Sequence, residues 1–271
     1  MEQQSNGAGP RQLAVVTGAS SGIGLELAKL FAQHGYDVVA AAEDEGIERA
    51  AGEVRALGAQ VDAVRVDLAT TDGVEELARR VEQGGRPVDA LALNAGVGLG
   101  GPFLEQDLDR IFDIIHLNVR STVHLAHRLM PAMVARGEGK VLVTSSIAAL
   151  IPGTFQAIYN ASKAFEHSWA EAVRNEIKDS GVTVTALQPG ATETNFFHRA
   201  ELDDTKVGAS KKDTAADVAK DGFEAMLAGK DHVVAHALKV KLQALLAEVT
   251  PEPVKAEQHR KMAEPGSASK A

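Results

Sequence analysis

Residues 12–24 read QLAVVTGASSGIG. The first six, Gln12 to Thr17, form a short apolar run of the kind that a parallel sheet buries on both faces. The turn that follows, Gly18-Ala19-Ser20-Ser21-Gly22-Ile23-Gly24, leads directly into a stretch of helical period. Glycines there let the backbone bend sharply and approach a ligand closely, while the free N–H groups and positive dipole end of the helix favour a pyrophosphate. A glycine pattern of this length is weak by itself, and an ordinary strand-to-helix loop would satisfy it. Its weight comes from its surroundings. Nineteen residues after Gly24, at the end of the next apolar run, stand Glu43 and Asp44, where a dinucleotide fold places an acid on the adenosine ribose hydroxyls.

Outward from this turn the same alternation repeats. Residues 12–17, 37–42, 61–66, 88–93, 140–144 and 182–187 read as buried strands, and 22–34, 45–57, 72–83, about 105–136 and about 156–180 read as helices. Strand followed by helix, repeated, predicts an α/β domain with a parallel sheet, right-handed crossovers and helices on both faces. Ligands of such sheets bind beyond the carboxyl ends of the strands, so every strand-to-helix turn is a candidate site.

With 271 residues, 45% of them hydrophobic, the chain can bury one substantial core. We expect a disordered N-terminus over 1–10, a single domain over 11–250 and a partly disordered tail over 251–271. Within that tail, Thr250-Pro251-Glu252-Pro253 is expected to break a helix over 236–248, and Glu264 to Ala271 to be disordered. A net charge of −9 repels nucleic acid and anionic membrane surfaces. No apolar run is long enough to span a bilayer. The chain has no cysteine, which excludes disulfides and thiolate chemistry and suits a cytoplasmic location. Among nine histidines, the pairs His124 and His127, and His232 and His236, have helical spacing, but no Glu or Asp completes an evident metal site, and no metal is expected.

Further along, Tyr159 and Lys163 stand four residues apart, on one face if helical, and a cation beside a phenol lowers its pKa from about 10. Alone, the pair is better read as a core tyrosine and a solvated lysine. Taken together, Thr17-Gly-x-x-x-Gly-Ile-Gly, Asn94-Ala95-Gly96, Asn118, Ser146, Tyr159-x-x-x-Lys163 and Pro189-Gly190 resemble the single-domain branch of the short-chain dehydrogenase/reductase family, over about residues 12–235. The resemblance implies a doubly wound Rossmann fold with about seven strands, a nicotinamide dinucleotide, and hydride transfer between a secondary alcohol and a ketone. It makes Tyr159 the general acid and base, Lys163 the residue that binds the nicotinamide ribose and lowers the phenol's pKa, Ser146 the donor to the substrate oxygen, and Asn118 the holder of a relay water. It assigns cofactor contacts to Gly18, Ser20, Ser21, Gly22, Ile23 and Gly24, to Glu43, to Asp67 and Leu68 at the adenine, and to Asn94, Ala95 and Gly96. Pro189, Gly190, Thr192 and Thr194 would face the carboxamide. Leu93 stands where the family usually has asparagine, which puts one side-chain bond in doubt.

The places where NADP-using members carry a cation hold Ser21, Ala42 and Glu43. No cation is available at those positions, so NAD(H) is expected over NADP(H), with Asp44 also able to serve as a helix cap. Segment 191–212, with Asn195-Phe196-Phe197-His198, reads as a mobile lid over an apolar pocket, and Ile147, Ile151, Phe155 and Gln156 as the opposite wall. That favours a substrate with an apolar body. The family also leads us to expect a homodimer or homotetramer. A sensor or scaffold that binds a dinucleotide without catalysis is the alternative, against which the joint presence of Asn118, Ser146, Tyr159 and Lys163 speaks.

Overall fold

The computed structural model describes residues 11–235 and 250–270. The N-terminus 1–10, the helix expected over 236–248 and residue 271 lie outside the described residues. The strands are β1 (Gln12–Thr17), β2 (Tyr36–Ala42), β3 (Val61–Arg65), β4 (Ala90–Leu93), β5 (Gly139–Thr144), β6 (Val182–Gln188), β7 (Thr192–Glu193), β8 (Asp213–Thr214) and β9 (His232–Val234). The helices are α1 (Gly22–Gln33), α2 (Gly46–Arg55), α3 (Thr71–Gln83), α4 (Leu108–Ile114), α5 (Thr122–Arg136), α6 (Ala157–Glu176), α7 (Phe196–Arg199), α8 (Lys206–Ala209), α9 (Ala215–Leu227) and α10 (Glu252–Ala263). Seven strands form one parallel sheet in the order β3-β2-β1-β4-β5-β6-β9, the Rossmann arrangement, while β7 and β8 pair separately.

The pleat explains why both faces need helices. Val39, Val15, Leu91, Val141 and Val184 lie in register across five strands and join one core with α3, α5 and α6. Their neighbours Ala40, Val16, Ala92 and Leu142 point to the other face and join a second core with α1, α2 and α9. Alanines on that second face let α1 approach closely. Phe31 on α1 then fills the remaining space, with its ring edge-on to Tyr36 and to Phe223, each at 5.1 Å.

Two expected elements differ from the pattern. The single helix read over 105–136 is interrupted at Ile115–Ser121 by a wider π-helical turn, which inserts an extra residue and carries Asn118 inward. Periodicity cannot reveal this because the cause is a tertiary bond: the Asn118 side chain spans Val97, accepting from its N–H and donating to its carbonyl, both at 2.9 Å. The second difference is at Pro251-Glu252-Pro253, which opens a helix of its own, α10. Proline is tolerated in a first helical turn because the N–H groups there have no intrahelical partner. Beyond α10, Gly266 N–H donates to Asp204 at 2.7 Å and buried Ser267 accepts from Lys206 N–H at 2.9 Å, so the stretch expected to be disordered over 264–271 is placed as far as residue 270.

At the amino end of the sheet, Asp37 is 5% exposed and bridges Arg11 at 3.0 Å and Arg86 at 2.7 Å, while accepting from Gln60 N–H at 2.9 Å. Burial alone would raise its pKa. The hydrogen bonds from Arg86 and Gln60 and the two guanidinium charges hold it below the usual carboxylate range. The stabilisation from this network is therefore full above the unfolded pKa of about 3.9 and is lost as pH falls through the lower folded value. Asp37→Ala removes the one carboxylate shared by both guanidinium groups, which keep only backbone acceptors, and is expected to lower the unfolding free energy by about 1–3 kcal/mol in urea titrations at neutral pH.

Candidate active site

At the carboxyl ends of β1 and β4 the sheet order changes direction, and one cavity opens there. Thr17 lies buried behind it, at the end of β1. The Thr17 hydroxyl accepts from Asn94 N–H at 2.9 Å and Ala95 N–H at 3.0 Å, and the Asn94 amide donates to the Thr17 carbonyl at 3.1 Å. These bonds lock the glycine turn to the turn after β4. Gly18 and Gly22 take φ values of +65° and +55°. At Gly24 a Cβ would stand 2.1 Å from the Gly18 carbonyl oxygen, so only glycine lets α1 start so close to the turn. Ser21, the N-cap of α1, makes no side-chain cap, and the first turn of α1 carries no acid. The open N–H groups at this helix start, facing a cavity lined by Gly18, Ser20, Ser21, Gly22 and Ile23, fit the pyrophosphate of a dinucleotide.

Glu43, Asp67 and Leu68 line the cavity on the β2 and β3 side. Asn94, Ala95 and Gly96, and Pro189, Gly190, Thr192 and Thr194, line it on the β4 and β6 side. Ser146, Tyr159 and Lys163 meet at its inner end. Of the residues singled out from sequence, Gly24 and Asn118 stand behind the wall rather than in it. Asn118 is fully buried and donates to Ser162 Oγ at 2.9 Å, which ties the π turn to the first turns of α6. Leu93 is in the core, and its neighbour Asn94 spends its side chain on Thr17 and on Thr144, 3.1 Å away. The substitution at 93 therefore leaves the backbone of this turn intact.

Lys163 is 4% exposed. Its ammonium donates to the Thr144 carbonyl at 2.9 Å and to Glu166 at 3.2 Å, leaving one N–H for the side facing Gly96 and the cavity. It lies 5.9 Å from the centre of the Tyr159 ring, and Phe196 packs on the same ring at 5.0 Å. The lowered phenol pKa expected from the four-residue spacing is not what this environment produces. Burial pushes the Tyr159 phenol above its usual value, and Lys163 together with a hydrogen bond to Ser146 pulls it back without cancelling the rise. Ser146 Oγ accepts from Ala148 N–H at 3.1 Å, and its own donor bond to the Pro189 carbonyl is long, at 3.3 Å.

The placement of Arg199 could not be read from the sequence. Arg199 on α7 reaches across the cavity mouth to Glu43 at 2.5 Å, so a cation does stand at the end where the sequence positions offered none. Asp44 receives the Ser20 hydroxyl at 2.7 Å and caps Gly46 N–H at 2.8 Å, the capping role left open for it. Ile147, Ile151, Phe155 and Gln156 are not among the cavity's lining residues. The tail helix α10 claims that loop instead: Thr154 Oγ1 donates to Ala256 O at 2.9 Å, Lys255 donates to Leu150 O at 3.1 Å, and Phe155 turns its ring beneath Arg260 at 5.1 Å. The segment expected as a lid contains β7, α7 and α8, with Phe197, Ala200 and Leu202 forming a small core of their own. Elsewhere, His232 lies 3.5 Å from its sequence neighbour Asp231 and 3.9 Å from Glu171 on α6; Asp231 and His232 are exposed and Glu171 is half-buried.

A family model described as short chain dehydrogenase matches residues 12–205. A 1-deoxy-11-beta-hydroxypentalenate dehydrogenase of Streptomyces exfoliatus is 38% identical over 185 residues, 67% of this chain and 67% of that protein. The aligned stretch spans 60–67% of the length of three curated relatives. A short-chain dehydrogenase from Sphingobium yanoikuyae in complex with NADPH superposes with a TM-score of 0.79 at 27% identity, covering 88% of this chain and 93% of that one. A 3-ketoacyl-(acyl-carrier-protein) reductase from Brucella melitensis complexed with NADH gives 0.70 at 28% identity, covering 79% and 90%. Gly24→Ala, whose new methyl meets a backbone oxygen rather than a movable side chain, is expected to weaken dinucleotide binding at least about tenfold in a fluorescence titration.

Proposed function

The chain belongs to the short-chain dehydrogenase family, NAD(P)-dependent oxidoreductases that act on CH–OH groups, and from that membership we propose that it interconverts a secondary alcohol and a ketone, with Tyr159 as acid and base. The observation that carries this reading is a single cavity that runs from the uncapped start of α1 to Ser146, Tyr159 and Lys163. Bound along it, a nicotinamide dinucleotide supplies or accepts the hydride. In the reducing direction Ser146 turns its hydroxyl from Pro189 to the substrate oxygen, and Tyr159 gives that oxygen its proton. Lys163 offers its remaining N–H to the ribose and its charge to the phenolate left behind. Asn118, held on Val97 and Ser162, fixes the wall behind them. Phe196 against Tyr159, with Leu117, Val97 and Phe197 nearby, gives the substrate end an apolar lining suited to an apolar body next to the reacting carbon.

The same reading assigns NAD(H) in preference to NADP(H). Glu43, Asp44 and Asp67 line the adenosine end, where Arg199 is the one guanidinium among the lining residues and Arg65, beside the Glu43 carbonyl, is paired with Glu45; a 2′-phosphate would add charge to the side already in excess. Assembly as a homodimer or homotetramer and a cytoplasmic location complete the proposal. Exposed Phe165 on α6 and Val134 on α5 offer apolar surface for such assembly. No helix among the described residues is long and apolar enough to cross a membrane.

A panel of ketones and secondary alcohols with both cofactors tests the reaction. Tyr159→Phe is expected to lower kcat by about 10²–10⁴ while dinucleotide binding is retained, and undiminished turnover refutes the role given to the phenol. On the same panel kcat/KM with NADH should exceed that with NADPH by about tenfold or more. Arg199→Ala, which removes the cation at the adenosine end, should widen the gap, whereas a preference for NADPH in the unaltered chain sinks the charge argument.

A further inference from the structure

Glu166 lies on α6 one turn beyond Lys163, on the same face, and is 2% exposed. A carboxyl so deeply buried is costly unless its oxygens are satisfied, and here only one accepts a hydrogen bond. Oε1 accepts from Lys163 Nζ at 3.2 Å, while Oε2, 2.9 Å from the same nitrogen, has no hydrogen bond of good geometry. The other groups bonded to this part of α6 are uncharged: β5 contributes the Thr144 carbonyl to Lys163, and Asn118 of the π turn donates to Ser162. Lys163 and Tyr159 are the titratable groups coupled to it among the described residues.

We propose that Glu166 is a positioning residue for the reaction: it holds the Lys163 ammonium from behind, and its protonation sets how much of that positive charge acts on Tyr159. The inference rests on the acid and base role proposed for Tyr159. With Glu166 ionised, a negative charge stands behind Lys163 and opposes phenolate formation; with Glu166 protonated, the ammonium acts on the phenol uncompensated. Burial raises the Glu166 pKa to about 7, with Lys163 opposing the rise, so the change between the two states falls near neutrality. Tyr159 responds in the same sense, since Glu166 adds to the rise of its pKa. The two groups form a coupled system in which one proton more on Glu166 makes Tyr159 the stronger acid. A carboxylate placed only to anchor a helix has no need to touch the lysine of the site, and an apolar side chain would cost less there.

The chain has two tyrosines, so Tyr36→Phe leaves Tyr159 as the sole source of tyrosinate absorbance. In that background Glu166→Gln, which keeps the shape and removes the charge, should lower the Tyr159 pKa by about half a unit to one unit in a spectrophotometric titration. Glu166→Asp, which keeps the charge, should restore most of the difference. No shift, or an upward one, overturns the proposal. If the glutamine variant does not fold, carbon-labelled glutamate in the Tyr36→Phe chain decides by NMR. One carboxyl titrating at about 7, with a matching step in the Tyr159 ring resonances, is expected, and ring resonances blind to that step overturn the coupling. Neither reading needs a substrate, so a failure here is distinct from a failure of the turnover assay to find Tyr159 essential.

Discussion

A parallel sheet whose strand order reverses beside β1 must leave a crevice at the carboxyl ends of β1 and β4, because the connections on either side leave in opposite directions. The candidate site exists because that crevice is held open at a fixed width. Thr17 fixes it, taking two N–H groups from the turn after β4 on one hydroxyl, and the missing side chain at Gly24 lets α1 begin directly above Gly18. With both strand ends tied, the helix dipole of α1, the β4 turn and the start of α6 all face one volume. The apolar rows on the two sides of the sheet keep them there: each strand residue that points to α3, α5 and α6 has a neighbour that points to α1, α2 and α9.

Within that volume the electrostatics follow from burial. Lys163 is almost fully enclosed, and the groups that make its charge tolerable, the Thr144 carbonyl and Glu166, are also the groups that limit what the charge can do for Tyr159. The phenol, surrounded by Phe196 and the cavity wall, is pushed away from ionisation by the same low dielectric that strengthens its interaction with Lys163. Spacing along a helix gives the sign of one pair interaction. The balance among desolvation, a helpful cation and an opposing carboxylate depends on what encloses all three.

The far end of the cavity and the loop beyond Ser146 teach the same lesson by different means. Arg199 and Glu43 are 156 residues apart and meet because α7 folds over the mouth. The loop 147–156, whose residues looked like a substrate wall, is instead gripped by a tail helix that follows an unpromising Pro-Glu-Pro run. Chain order carries no trace of either contact, since neither partner has a local pattern that needs the other.

What the sequence determined was everything governed by short-range chemistry. Short apolar runs alternating with period-3.6 stretches laid out the parallel sheet and its helices, the glycines marked the turn, and the separations among Asn118, Ser146, Tyr159 and Lys163 carried the family resemblance. Tertiary structure alone decided how those groups act on one another. The π turn that buries Asn118 and the guanidinium at Glu43 come from elements packed side by side, and the burial of Glu166, one helical turn from Lys163, is set by what encloses α6. Electrostatic and hydrogen-bond energies depend on distance and burial in space, which residue numbers do not contain.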